Sequence, residues 1–105
     1  MLRLSLATVF LILALSAQNG KQGDPDAGKS VFKVKCAECH FADSKEVKEG
    51  PGLQGIKDGK LPSGTKATHD AILDLVNNGR DAMPGFKDTL TDRQKEDVVA
   101  YVMTL

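Results

Sequence analysis

Apolar residues recur at three- and four-residue steps in the second half of the chain, and no stretch alternates apolar with polar at the period of a strand. Ile72, Leu73, Leu75 and Val76 form one apolar side, in a helix that begins near Thr68 with Asp70 favourably placed in its first turn. It ends at Asn78-Gly79, where Gly79 is the expected left-handed cap. Val98, Tyr101, Val102 and Leu105 form a second side, in a last helix opened by Thr91, with Gln94 at the spacing of a capping box. An earlier helix is expected from an Asp26 N-cap through Lys35 into Cys36. Residues 41–67 hold many glycines, prolines and charges and read as irregular loop. So long a loop in so small a domain needs something to organise it. The pattern predicts an all-α domain without internal repeats.

A different apolar run stands at the start. Leu4–Leu15 follows the basic Met1–Arg3, and Ser16, Ala17 and Gln18 suit cleavage by a signal peptidase. The run is shorter than the roughly 20 residues of a membrane span. Residues 1–17 are therefore read as a signal peptide, with an uncleaved anchor as the alternative; no cysteine stands near for a lipid anchor. Gln18–Pro25 reads as a mobile leader and residues 26–105 as the folded domain. That domain is near the lower size limit for independent folding and has no tryptophan, so its own core is thin. The 14 basic and 14 acidic residues become 13 and 14 when Arg3 is removed, a net charge of −1. No basic stripe points to nucleic acid.

The chemistry concentrates in Cys36-Ala37-Glu38-Cys39-His40. Cys-x-x-Cys-His is the attachment pattern of a covalent haem: cysteines three apart on a helical turn share a face, and the next imidazole falls where it can bind iron. A dithiol redox pair expects a strand–helix context that is absent from the pattern, and a zinc site lacks ligands, since only His69 and the two cysteines remain. A plain disulfide leaves His40 unexplained. An exported protein also suits the motif, because this attachment occurs outside the cytoplasm. A second signal is Ala82-Met83-Pro84-Gly85-Phe86. A thioether is a soft, neutral ligand, and Met opposite His raises the haem potential. Met83 precedes a proline, so its backbone is extended and can be pinned; Met103, in the last helix, reads as core filler.

In order and spacing these features resemble the class I cytochromes c over essentially everything after Asp26. Gly28 and Phe32 precede Cys36 by eight and four residues, Tyr101 follows Val98-Val99-Ala100, and Gly50-Pro51-Gly52-Leu53 resembles the family's Gly-Pro-x-Leu segment. The resemblance implies a cytochrome c fold: N- and C-terminal helices crossing at Gly28, a further helix before the Met loop, all wrapped around one covalent haem c. It implies thioether bonds at Cys36 and Cys39 and axial ligation by His40 and Met83. The Pro51 carbonyl would accept the Nδ1–H of His40, and Leu53 would pack on the porphyrin. Lys95 departs from the pattern, standing where many relatives have an apolar residue, so this end of the last helix is expected to be looser. Lys60, Lys66 and Arg80 are propionate partners on charge alone and read first as solvated. His69 reads as exposed and non-ligating. Lys29, Lys33 and Lys35 suit either docking to an acidic partner or plain solvation.

The function implied is that of a monomeric, periplasmic or otherwise extracytoplasmic electron carrier, not an enzyme, which exchanges single electrons by outer-sphere transfer. Its redox partners would be a quinol-oxidising complex as donor and an oxidase, reductase or photosynthetic reaction centre as acceptor. Membrane contact would come only through them unless the N-terminus is uncleaved. The alternatives are a five-coordinate haem protein with peroxidase or gas-binding activity, which needs an open iron, and a membrane-tethered electron-transfer subunit of one complex. Without haem, the chain is expected to be largely unfolded.

Overall fold

The computed structural model describes residues 23–105, so the expected signal peptide at 1–17 and the leader through residue 22 lie outside the described residues. Helix α1 (Pro25–Lys35) starts earlier than its expected cap at Asp26. Asp24 is the N-cap and its carboxylate accepts the Asp26 N–H at 2.9 Å, while Pro25 takes the first helical position, where its missing N–H costs nothing. Helix α2 (His69–Asn78) is capped by Thr68, whose hydroxyl accepts the Ala71 N–H at 3.1 Å. Helix α3 (Asp92–Val102) opens with the expected capping box: the Gln94 N–H donates to Thr91 Oγ1 at 3.1 Å and the Thr91 N–H to Gln94 Oε1 at 2.9 Å.

Helices α1 and α3 cross in close contact. A Cβ on Gly28 would lie 1.9 Å from the Asp97 carbonyl oxygen and 2.9 Å from the Tyr101 Cβ, so only glycine allows this approach. One turn on, the Phe32 and Tyr101 rings meet edge to face, 5.4 Å between centroids. The Asp24 N–H donates to Asp97 Oδ1 at 2.8 Å, tying the start of α1 to α3 through a buried carboxylate. Val98, Val99 and Val102 of α3 join Phe32, Ile72, Val76, Ile56, Leu61 and Leu90 in one core. Leu73, Leu75, Tyr101 and Leu105 of the expected apolar sides are only half-buried, whereas Val99 is among the most buried side chains. Met103 is not core filler: it is the C-cap residue of α3 and is exposed.

The long 41–67 connection is organised by its own backbone. The Leu53 N–H donates to the Phe41 carbonyl at 2.8 Å, Ala67 to Gly59 at 2.9 Å, and Gly55 to the Leu105 carbonyl at 2.7 Å. A single 3₁₀ turn, Ile56–Asp58, buries Ile56. Among the described residues, strand-like pairing is confined to two isolated bridges, Lys60–Lys66 and Arg80–Met83.

Candidate haem site

The Cys-x-x-Cys-His motif continues directly from α1 as one more hydrogen-bonded turn. The Cys36 N–H donates to the Phe32 carbonyl at 2.8 Å, and the Cys36 carbonyl accepts both the Cys39 N–H at 3.1 Å and the His40 N–H at 3.0 Å. Both thiols are free and half-buried. Burial, with Cys39 adding to it, pushes the Cys36 thiol up to about 11. A redox-active dithiol needs a stabilised thiolate, so this environment opposes that reading of the pair.

His40 is oriented by Pro51. Its Nδ1–H donates to the Pro51 carbonyl at 2.7 Å, which fixes the tautomer and leaves the lone pair on Nε2. Gly50 makes room for the ring: a Cβ there would lie 2.6 Å from His40 Cε1. Two free thiols, an imidazole with Nδ1 committed and Nε2 available, and a cradle that a single methyl would fill together fit a covalent haem. Beside Pro51 opens a cleft of about 530 Å³, lined in part by Ile56, Leu61 and Pro62 and by Lys45 and Lys60. Leu53 is half-buried against the core.

Lys48, which belongs to no motif in the sequence, straps the Cys36–His40 turn from outside. Its ammonium donates to the Ala37 carbonyl at 2.7 Å and sits 4.4 Å from the centroid of the Phe41 ring. It thus grips Ala37, one of the two residues between the cysteines, and Phe41, the residue after His40.

Met83 closes a tight reverse turn. The Arg80 N–H donates to the Met83 carbonyl at 3.0 Å and the Met83 N–H to the Arg80 carbonyl at 2.9 Å. Asp81 within this turn has φ 54°, the one positive φ outside glycine among the described residues. Gly79 leads in with φ 70° and ψ −169°, so it has the expected positive φ but not the left-handed helical ψ. The Met83 turn folds back so closely here that its carbonyl oxygen would lie 2.2 Å from a Cβ on Gly79, which leaves room for glycine alone. After Pro84, the Phe86 N–H returns to the Val76 carbonyl at 2.7 Å, docking the segment on α2.

Other charged candidates sort by geometry. Lys60 lines the cleft beside Pro51, whereas Arg80 is exposed with Asp81 Oδ2 3.6 Å away. Lys29, Lys33 and Lys35 are exposed on α1. His69 is only half-exposed and is held by two carboxylates, donating from Nδ1 to Asp70 at 2.8 Å and from Nε2 to Glu96 at 2.7 Å. Glu96 first, then Asp70, raises its pKa above the usual histidine value.

The chain matches the family model described as cytochrome c oxidase, cbb3-type, subunit III, over residues 23–102. It is 36% identical to cytochrome c6 of Rippkaea orientalis over 102 residues, 93% of this chain and 89% of that protein. To cytochrome c6 of Leptolyngbya boryana it is 38% identical, over 76% of this chain and 91% of the relative. The fold matches the crystal structure of cytochrome c6 from the diatom Phaeodactylum tricornutum with a TM-score of 0.59 at 29% identity, covering 78% of this chain and 93% of that one. In sequence and in fold, the chain belongs to the class I c-type cytochromes, small proteins that carry one covalently bound haem c.

Proposed function

We propose that the chain is an exported electron carrier whose haem c is attached through Cys36 and Cys39, with His40 and Met83 as the axial ligands. The observation that carries this reading is the His40 Nδ1–Pro51 bond of 2.7 Å directly after two free thiols, since it presents Nε2 as a ligand. When bound, the haem supplies a one-electron ferric–ferrous couple.

The residues then divide the work of holding it. The Cys36–His40 turn, fixed by backbone bonds to α1, sets the attachment points and the imidazole together. Pro51 orients His40 and increases its basicity. The doubly bonded Arg80–Met83 turn holds Met83 in one backbone conformation, so ligation changes little between oxidation states. Leu53, half-buried against the core two residues after Pro51, would pack on the porphyrin. A carrier of this kind exchanges electrons in brief encounters over a small interface. Redox proteins are its partners: a quinol-oxidising complex as donor and an oxidase, reductase or photosynthetic reaction centre as acceptor. The periplasm or an equivalent extracytoplasmic compartment is the setting, which the Leu4–Leu15 run and the demands of covalent attachment support. No helix of the described residues is long and apolar enough to cross a membrane.

Met83→Ala tests the ligand assignment. The variant keeps its covalent haem, has a lower reduction potential and admits carbon monoxide readily. An unchanged potential without carbon monoxide binding would remove Met83 from the site.

A further inference from the structure

Lys95 is the anomaly of this molecule. It stands in the first turn of α3 and is 8% exposed, a setting in which lysine is rare without a purpose. Its ammonium donates to the Lys87 carbonyl oxygen at 2.8 Å, while the Asp92 carboxylate is 3.7 Å away on an exposed side chain. An apolar side chain of the same length would fill the space without desolvating a charge. What the ammonium adds is the bond to Lys87, which anchors the segment following Met83.

That segment is hydrogen-bonded to both neighbouring helices. The Phe86 and Lys87 N–H groups donate to the Val76 and Asn77 carbonyls at 2.7 and 3.1 Å, joining it to α2. The Lys95 bond joins the same residue, Lys87, to α3. Lys87 therefore sits between two helices, held by its N–H from one side and its carbonyl from the other, four residues after Met83. With Lys95 removed, the α2 bonds and the packing of Phe86 and Leu90 on the core are left to resist movement of the segment. The start of α3 is thus bonded through Lys95 to the segment that precedes it.

We infer that Lys95 is a positioning residue for Met83, holding the segment behind it so that the Met83 turn seldom opens away from the haem. The inference rests on Met83 being an axial ligand. Holoprotein in the ferric state is first scanned for the weak deep-red band of iron–methionine bonding. Its absence in the wild type would overturn the ligand reading and this inference with it. Imidazole is then added, since its binding must wait for Met83 to leave. Lys95→Met should bind imidazole about tenfold faster, as expected for loss of a charge-assisted hydrogen bond. Lys95→Arg, which keeps a donor, should stay within about threefold of the wild type. Val98→Ala provides the comparison, because it weakens the core of the same helix without touching Lys87. With the red band present, a wild-type rate for Lys95→Met would overturn the inference. So would an acceleration no greater than that of Val98→Ala at equal loss of global stability.

Discussion

Gly28→Ala exposes how closely the fold is drawn together at the α1–α3 crossing. The added methyl would stand 1.9 Å from the Asp97 carbonyl oxygen and 2.5 Å from its carbon, where ordinary contact begins at 3.4 Å. Both are backbone atoms inside α3, so no side chain can swing aside. The helices must separate by about 1.5 Å at this point, and gaps of this size forfeit much of the dispersion between facing side chains. The layer affected contains Phe32, Tyr101 and Val98. Overpacking of this kind costs about 3 kcal/mol at the upper end of its usual range. Alanine returns about 1 kcal/mol through its better helix propensity. The expected net loss is about 2 kcal/mol, read as a lower midpoint with unchanged slope in guanidinium unfolding of the holoprotein. A variant as stable as the wild type, or more so, would refute the reasoning, because propensity would then have outweighed contact.

Three further outcomes follow from single contacts. Asp97→Ala removes the acceptor for the Asp24 N–H and should cost about 1–2 kcal/mol in the same assay, whereas Asp97→Asn should recover most of it. Lys48→Met should lower stability by about 1 kcal/mol while haem staining on a denaturing gel stays at the wild-type level; loss of stain would mean the strap is needed for attachment. His69 has a folded-state pKa raised above 6.5 by Glu96 and Asp70, so its contribution is complete below that unfolded value and is lost as pH rises through the folded one. The stability gap between wild type and Glu96→Gln should therefore narrow as pH rises above 6.5 through the raised folded-state value, and a constant gap would contradict the pairing.

Local chemistry made the candidate site legible in the sequence. Cys36, Cys39 and His40 are adjacent in the chain, and Met83-Pro84 is a short motif in a loop, so neither needs tertiary information to be found. The helices were legible for the same reason, through the Thr91–Gln94 box and the recurrence of apolar positions. What escaped depends on distant partners. Lys95 looked misplaced in a buried position because its acceptor is a backbone carbonyl, which leaves no trace in residue identity. Lys48 and Asp97 likewise act on main-chain groups far along the chain. The first helix began before its expected cap because Asp24-Pro25-Asp26 offers two capping carboxylates, and the proline decides between them. What helps organise the loop over 41–67 is likewise distant in part: carbonyls of Cys39, Phe41 and Leu105 accept its N–H groups.

The most direct test of the His40–Met83 assignment is the optical spectrum of the haem-loaded protein, oxidised and reduced. Sharp low-spin bands on reduction, with the deep-red ferric band of a methionine ligand, are the predicted result. A high-spin spectrum that shifts on adding carbon monoxide would contradict it.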